Sequence, residues 1–190
     1  MEWLRPTAES LAPAPDLTHA RRLLTDWSAP DAARASTRDE IVAFIDAHPD
    51  DAHLRSCLPG HLTGSALAID ADGERVLLHL HKKLGRWLQF GGHCDGDANM
   101  LAVAWRETSE ESGLTPGAIS ALPIDVDIHS IPARKDEPEH NHLDVRYLVR
   151  MPAGAVPEIS EESLELAWFT RAEALQLDLD ASLRRLMDLF

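Results

Sequence analysis

The stretch that decides the fold is residues 91–114, which read GGHCDGDANMLAVAWRETSEESGL. Its first part is rich in glycine and aspartate, which favour tight turns. The part that follows predicts a helix from about residue 98 to 112, with Asp97 or Asn99 as its N-cap and Gly113 as its terminating residue. A glycine-rich turn is therefore expected to lead directly into a helix.

Acidic side chains cluster on one face of this predicted helix. Glu107, Glu110 and Glu111 are separated by helical spacings and share a face, and Arg106 lies one turn before Glu110. Like charges at this spacing destabilise a bare helix by about 0.2–0.5 kcal/mol per pair unless a positive charge offsets them. Two interpretations are open at this point: a solvated acidic face with a surface ion pair, or the binding site of a divalent cation.

The neighbouring glycines favour the cation site. Magnesium prefers oxygen ligands and is commonly held by a few carboxylates together with the phosphate oxygens of its substrate. Gly91 and Gly92 carry no side chain, so the backbone can approach a ligand closely and a carbonyl can face the metal. The chemistry that fits this arrangement is attack of an activated water on phosphorus, with a carboxylate as the base.

The spacing of the whole stretch resembles the signature of the Nudix hydrolase family: G, five residues, E, seven residues, R-E, an apolar residue, any residue, E-E, any residue, G, an apolar residue. The positions that match are Gly92, Arg106, Glu107, Glu110, Glu111, Gly113 and Leu114. Ala98 stands where the pattern has its first glutamate, and Thr108 stands where it has an apolar residue. The methyl group of the threonine can pack as an apolar group, whereas the missing carboxylate would have to come from Asp95 or Asp97.

The resemblance implies a mixed α/β (α+β) fold, in which a mixed β-sheet is sandwiched between helices and the signature forms a loop, a helix and a second loop. It also implies a hydrolase that cleaves a phosphoanhydride bond in a nucleoside diphosphate derivative, with Mg²⁺ or Mn²⁺ as cofactor. Ala98 keeps an alternative open, a non-catalytic Nudix-fold module that binds a nucleotide or regulates. The roles carried over are metal ligation by Glu107 and Glu111, a third ligand or a base at Glu110, orientation of a glutamate by Arg106, and a metal-facing carbonyl at Gly91 or Gly92.

Further residues are candidates for binding the substrate. His93, beside the glycines, could contact a phosphate or brace the loop. Arg86, Arg134 and the adjacent Lys135 are basic residues near the middle of an acidic chain, where they suit a phosphate. Glu139 lies in a Pro-flanked loop. Nudix proteins often bring a further carboxylate from such a loop, which makes this glutamate a candidate base.

The spacing of the histidines supports a competing hypothesis. His79 and His81 share one face of a predicted strand, as do His140 and His142, with Asp144 on the same face. Transition-metal sites use such spacings. The alternative is therefore a histidine-centred metalloenzyme of unrelated fold, to be weighed against surface or hydrogen-bonded histidines.

The rest of the chain is predicted to divide into an N-terminal helical extension, residues 1–58, and a hydrolase domain, residues 59–190. Apolar residues at helical spacing predict a first helix in the extension, and Thr37 with Glu40 forms a capping box that predicts the start of a second. Apolar runs beyond the extension predict strands, and residues 70–73 have the composition of a hairpin turn.

The net charge of the chain limits the classes of molecule that it is expected to bind. The chain has 190 residues, with 18 Lys and Arg against 32 Asp and Glu, and a formal net charge of −14. Such acidity repels phosphate backbones and anionic lipids, so we expect no nucleic acid and no membrane as partner, but a small diphosphate compound that meets a metal cation. The start has no signal-peptide pattern, and two separate cysteines do not form a disulfide framework, which predicts a cytoplasmic protein. The N-terminal helices are expected to form a homodimer surface or to close over the site.

Overall fold

In the computed structural model, which describes residues 1–134 and 137–190, strands and helices are mixed along the chain. The strands are β1 (Trp3–Leu4), β2 (Gly60–Ile69), β3 (Arg75–His81), β4 (Arg86–Leu88), β5 (Phe90–His93), β6 (Ala118–Ser120), β7 (Asp125–Ile131), β8 (His140–Arg150) and β9 (Ser163–Thr170). The helices are α1 (Thr18–Asp26), α2 (Ala32–Ala47), α3 (Met100–Ser112), α4 (Arg171–Ala174) and α5 (Ala181–Leu186). Among the residues described, no helix has both the length and the apolar character needed to cross a membrane.

One mixed sheet joins the strands of the described residues. Along its main path the order is β1-β6-β8-β2-β3-β4, while β5 pairs with β2, β7 with β8 and β9 with β3. β2 and β8 run parallel, from Gly60 opposite Asn141 to Ile69 opposite Arg150. The other strand pairs are antiparallel. The predicted mixed sheet is confirmed.

The predicted hairpin at the centre of the sheet is also confirmed. β2 and β3 pair with Ala68 opposite Leu77. The turn between them contains Gly73, whose φ of 75° lies in the left-handed region that glycine adopts without strain. The Asp70 carboxylate accepts a hydrogen bond from the N–H of Glu74 at 2.8 Å. Turn chemistry that is visible in the sequence therefore fixes the register of the two strands.

The two faces of the sheet carry separate apolar cores. One face lies under α3, because a Cβ added at Gly64 of β2 would lie 2.8 Å from Cγ1 of Val103. Leu67 of the same strand belongs to the core on the other face, which includes Leu183 and Leu186 of α5. Successive strand residues point to opposite faces, so β2 is buried on both. Helices cover both faces, as the resemblance implies.

Two helices precede β2, as predicted, but the second begins earlier than expected. α2 begins directly after Asp31, whose side chain accepts a hydrogen bond from the N–H of Arg34 at 2.8 Å. Thr37 lies inside the helix and donates its hydroxyl to the carbonyl of Ala33 at 3.1 Å. The start predicted from Thr37 and Glu40 is therefore wrong, because Asp31 offers an earlier cap and a mid-helix threonine bonds one turn back.

The N-terminal segment packs against the sheet. Leu24 of α1 and Ile45 of α2 belong to the same buried core as Leu62 and Val145. β1 pairs with β6, two short strands that the sequence analysis missed. Strands of 2 and 3 residues contain too few alternations to be recognised from a pattern. The division of the chain at residue 58 stays a prediction, although both parts contribute to one core.

Candidate active site

The signature helix α3 is fixed at both ends by residues that the sequence predicts. Asn99 is its N-cap and accepts a hydrogen bond from the N–H of Ala102 at 3.3 Å. The helix ends at Gly113, whose φ of 67° is left-handed. The other predicted cap, Asp97, instead accepts hydrogen bonds from the N–H groups of Asn99 and Ala14, both at 2.9 Å. Its carboxylate thus fixes the entry into the helix.

Glu107 lies directly over the glycine pair. Gly92 belongs to β5, and a Cβ built on it would be 2.5 Å from Oε2 and 2.6 Å from Cδ of Glu107. Only glycine leaves room for this carboxylate, because no real Cβ approaches other atoms so closely. Burial raises the pKa of Glu107 above its ordinary value of 4.5, against the opposing charge of Arg106. The charged form of Glu107 is therefore poorly solvated where it lies.

Glu111 is the most buried carboxylate of the signature, with 7% of its surface exposed. Its Oε2 accepts a hydrogen bond from the N–H of Gly91 at 2.9 Å. Burial raises the pKa of Glu111 to about 8, and the neighbouring charge of Glu107 acts in the same direction. In an antiparallel strand the N–H and C=O of one residue point to the same side, so the carbonyl of Gly91 also points away from β2. Carboxylate and backbone oxygens thus lie together beside α3.

Arg106 joins the helix to the glycine-rich loop. Its Nη1 lies 2.7 Å from Oε1 of Glu107, and its Nη2 donates to the carbonyl of His93 at 2.9 Å. Oε2 of Glu110 is 3.8 Å from the same Nη1, and 63% of the Glu110 side chain is exposed. Arg106 therefore holds Glu107 and the loop in place, whereas Glu110 faces solvent.

Comparison with known proteins identifies this arrangement of glycines, arginine and carboxylates. Residues 61–190 match the family model of the NUDIX domain. The chain belongs to the Nudix family. The match begins within β2 and extends over the whole of the sheet that follows, so the signature lies in its expected structural setting.

Individual relatives of this Nudix chain add detail. The "Probable DHNTP pyrophosphohydrolase" of Lactococcus lactis subsp. cremoris (strain MG1363) is 32% identical over 108 residues, which cover 56% of this chain and 58% of that relative. The match therefore spans less than two thirds of the relative's length. The dihydroneopterin triphosphate pyrophosphohydrolase of E. coli superposes with a TM-score of 0.55 at 15% identity, over 68% of this chain and 93% of the other. A MutT Nudix hydrolase from Burkholderia pseudomallei gives 0.53 at 22% identity, over 68% and 96%. At such identities the two structures confirm the Nudix fold.

Ala98, one of the two departures of this chain from the Nudix signature, is buried. Ala98 has no exposed surface and donates its N–H to the carbonyl of Ala14 at 2.7 Å. Of the aspartates expected to replace the missing glutamate, Asp97 caps backbone amides, and Asp95 forms a bidentate ion pair with Arg55 at 2.6 and 2.8 Å. Among the hydrogen bonds and ion pairs of the described residues, neither aspartate contacts Arg106.

Two charged residues near the site were missed by the sequence analysis. Arg55 lies in the N-terminal segment, borders a cleft with His93, and has its pKa raised by the hydrogen bond to Asp95 and by the charge of Glu107. A single arginine outside the signature gives no pattern that would reveal it. The charge of Glu162, just before β9, contributes to the raised pKa values of both buried glutamates. The run of acidic residues around Glu162 is the sequence feature that could have indicated its proximity to the site.

Of the predicted substrate-binding residues, His93 is brought to the site. Its carbonyl accepts the hydrogen bond from Arg106, and its ring packs at a tilt against the ring of His61 and edge-on against that of His142, with centroids 5.0 Å apart in both pairs. Burial lowers the pKa of His93 to about 4, so the ring is neutral at pH 7. A neutral ring cannot attract a phosphate by charge. The roles that stay open for His93 are a hydrogen bond to the substrate and bracing of the loop.

The other predicted substrate-binding residues form no hydrogen bond or ion pair with the signature carboxylates in the described parts of the chain. Arg86 is an exposed residue of β4, and Arg134 is exposed near the start of the β7–β8 connection. Glu139 accepts a hydrogen bond from the hydroxyl of Ser130 at 3.0 Å. Lys135 lies outside the described residues, and substrate binding by this group stays a prediction.

The two predicted histidine pairs lie in different surroundings. His79 is buried and its Nδ1 lies 2.9 Å from the hydroxyl of Ser163, as expected of a hydrogen-bonded core histidine. His140 and His142 lie beside His61, a residue that the sequence analysis did not consider. The alternative of an unrelated metalloenzyme fold is wrong, because the chain has the Nudix fold.

Proposed function

We propose that this chain is a divalent-metal-dependent hydrolase that cleaves a phosphoanhydride bond in a small diphosphate compound, such as a nucleoside diphosphate derivative. The observation that carries the proposal is the position of Glu107 and Glu111. Both carboxylates are held at the backbone of Gly91 and Gly92, and both have raised pKa values. The name of the Lactococcus relative, a probable pyrophosphohydrolase, supports the same chemistry.

The donor set fits Mg²⁺ or Mn²⁺. The residues that would hold the cation are Glu107, Glu111 and the carbonyl of Gly91, with Glu110 as a third carboxylate ligand or as the base. All of them offer oxygen, the ligand that these ions prefer. Burial destabilises the charged form of these carboxylates, and a bound cation would offset that cost. A cation bound here would neutralise the negative charge that develops on the phosphate oxygens and lower the pKa of a bound water.

The chain's own residues then have separate tasks. Arg106 holds the carboxylate of Glu107 and the carbonyl of His93 in place, and the N–H of Gly91 orients Glu111. Glu110 is exposed and only loosely paired, so it is free to accept the proton of the attacking water. In the hydrolysis, the water oxygen forms a bond to phosphorus, the bridging P–O bond breaks, and the leaving phosphate takes the electron pair.

A second function, binding without turnover, is favoured by one observation. Ala98 is enclosed in the core, and Asp95 and Asp97 are engaged by Arg55 and by backbone amides. A carboxylate of the family signature is therefore lacking, and the affinity for metal is expected to be lower than in a complete site. A regulatory or nucleotide-binding module would keep the fold and tolerate this loss.

The test is a panel of substrates assayed with Mg²⁺ or Mn²⁺. Nucleotide sugars, ADP-ribose, dinucleoside polyphosphates, oxidised nucleotides and pterin triphosphates would be followed by phosphate release, with and without added phosphatase. Hydrolysis should fall about 100-fold or more in both Glu107→Gln and Glu111→Gln, the range that acid–base and metal-positioning groups supply. Glu40→Gln on the exposed face of α2 is the matched control and should leave turnover unchanged. Tight binding of an intact nucleotide in excess metal would establish the binding module instead.

Location and assembly are also proposals. Cys57 and Cys94 are free and buried, which is compatible with a reducing, cytoplasmic setting. A homodimer through α1 and α2 would be tested by light scattering of the purified protein, which reports the molar mass directly.

A further inference from the structure

A second group of metal-binding side chains gathers on the sheet, away from the carboxylates. His140 and His142 alternate along β8 and share a face, and His61 of β2 lies opposite His142 in the parallel register. His61 and Gly64 point to opposite faces of β2, and it is Gly64 that contacts α3. The histidine group therefore lies on the face of the sheet that α3 does not cover.

The three rings are close enough to share one ion. One nitrogen from each of His61, His140 and His142 can be chosen so that all lie within 4.8 Å of one another. The ring centroid of His61 lies 4.9 Å from that of His140 and 4.9 Å from that of His142. Three residues distant in sequence thus present nitrogen ligands to one point.

His61 has an unmet need for a partner. It is 4% exposed, and neither Nδ1 nor Nε2 has a hydrogen-bond partner among the described residues. A neutral imidazole carries one donor and one acceptor, and leaving a buried polar group unsatisfied costs about 1–3 kcal/mol. A metal ion would use the lone pair that faces the other two histidines.

His140 is oriented in the way that metal ligands usually are. Its Nδ1 lies 2.9 Å from the carbonyl of Pro138. A carbonyl only accepts hydrogen bonds, so Nδ1 carries the proton and Nε2 keeps its lone pair. Metal-ligating histidines commonly donate their second nitrogen to a backbone carbonyl, which fixes the tautomer and the ring.

We propose that His61, His140 and His142 form a binding site for a transition-metal dication of the zinc class, separate from the carboxylate site of α3. Imidazole nitrogen suits zinc and its neighbours in the periodic table, whereas magnesium and manganese prefer oxygen. Three protein ligands leave the fourth tetrahedral position open, as in zinc sites that bind water or substrate.

A cleft adjoins two of the three histidines. It has a volume of about 120 Å³ and is bordered by His61 and His140 together with Arg55, His93 and Glu137. A water molecule or an anionic oxygen of a ligand can enter here and complete the coordination.

A rival trio of side chains provides a useful control. Ligand atoms of His48, Asp51 and Cys57 also come within 4.8 Å of one another. The thiolate is the form of cysteine that binds metal, but burial raises the pKa of Cys57 to about 11 and keeps the thiol protonated. Zinc would have to displace this proton at a higher cost than from an ordinary thiol, so we expect the trio to bind zinc less tightly than the three histidines.

The experiment measures binding of metal rather than turnover, so it is independent of the proposed hydrolysis. The full chain, prepared without a histidine tag, is stripped with a chelator and titrated with Zn²⁺ against a chromophoric competitor. The titration is made in excess Mg²⁺, which occupies the carboxylate site of α3, and we expect one equivalent of Zn²⁺ to bind. His140→Ala and His142→Gln should each weaken binding by more than the roughly 10- to 100-fold that changes to second-shell partners cost.

Three control variants keep the test specific. His81→Ala, Cys57→Ser and Glu107→Gln should bind Zn²⁺ as the unchanged chain does, and circular dichroism should show that every variant is folded. The absorption spectrum of bound Co²⁺ should indicate tetrahedral nitrogen and oxygen ligands without a thiolate band. The proposal is overturned if no stoichiometric zinc binds, if His140→Ala and His142→Gln both retain the affinity, or if Cys57→Ser or Glu107→Gln abolishes it.

Discussion

The carboxylate of Glu111 accepts a hydrogen bond from the backbone N–H of Gly91 at 2.9 Å. This contact joins the last turn of α3 to β5 and places a buried acid against the backbone of the glycine pair. Such a bond favours the ionised acid, but burial outweighs it and raises the pKa of Glu111 to about 8. The glutamate is thus positioned by the fold and destabilised in its charged form, as expected where a cation is to bind.

The first prediction concerns stability without metal. The raised pKa means that the folded chain favours protonated Glu111, so this stabilisation is complete below pH 4.5 and is lost as the pH rises through about 8. In chelator, the unfolding free energy of the native sequence should fall relative to that of Glu111→Gln by up to about 1.4 kcal/mol per pH unit between these values. Urea unfolding at several pH values measures the difference. Parallel pH profiles for the two proteins would contradict the raised pKa.

A second prediction follows from the close approach of Gly92 and Glu107. Gly92→Ala places a Cβ 2.5 Å from the carboxylate and must displace it. Misplacement of a functional group by about 1 Å can cost about 100-fold in rate, so kcat/KM should fall by that order while the protein stays folded. Gly117→Ala is the matched control, because its Cβ would meet its nearest atom at an ordinary 3.4 Å. Equal activity in the two variants would show that Glu107 need not lie over Gly92.

A third prediction concerns Arg106, which contacts both Glu107 and the carbonyl of His93. Arg106→Lys keeps the charge but loses the planar fork that reaches both partners at once. The affinity for Mn²⁺ should fall by about 10- to 100-fold, the loss typical of residues that orient metal ligands. Titration followed by electron paramagnetic resonance of free Mn²⁺ measures it. Arg21→Lys in an exposed ion pair is the control, and an equal loss there would argue against a specific role.

A fourth prediction concerns the buried charges beside the histidine group. Arg146 has 3% of its side chain exposed and pairs with Asp144 at 2.7 Å and with Asp125 at 3.3 Å. Removing one partner of a buried pair leaves an uncompensated charge, so Arg146→Met should lower the unfolding free energy by about 3–5 kcal/mol. Arg21→Met, in an exposed pair, should cost at most about 1 kcal/mol. Urea unfolding compares them, and similar losses would mean that the buried network contributes no more than a surface pair.

Much of the candidate site could be predicted because its parts lie within one stretch of 24 residues. Helical spacing places Glu107 and Glu111 on one face, and Asn99 and Gly113 mark the ends of the helix through local backbone chemistry. Local signals also explain why the predicted start of α2 is wrong. Thr37 donates its hydroxyl to a carbonyl inside the helix, and Asp31 is an equally good N-cap earlier in the chain. Local signals identify an element more reliably than its first residue.

Contacts between distant segments gave no comparable signal. Arg55 reaches Asp95 from the N-terminal segment, and His61 meets His142 only because β2 and β8 pair in parallel. Each of these residues is unremarkable in its own stretch of sequence. The pairing of strands and the packing of the N-terminal helices decide which of them become neighbours.

The sequence by itself determined the family, the signature helix and the carboxylates that a cation would use, since helical geometry and glycine chemistry act over a few residues. The tertiary structure decided how deeply Glu111 is buried, and with it the direction of its pKa shift, because burial depends on everything packed around the side chain. It also decided that His61, His140 and His142 meet on one face of the sheet, because strand register joins positions that the chain separates.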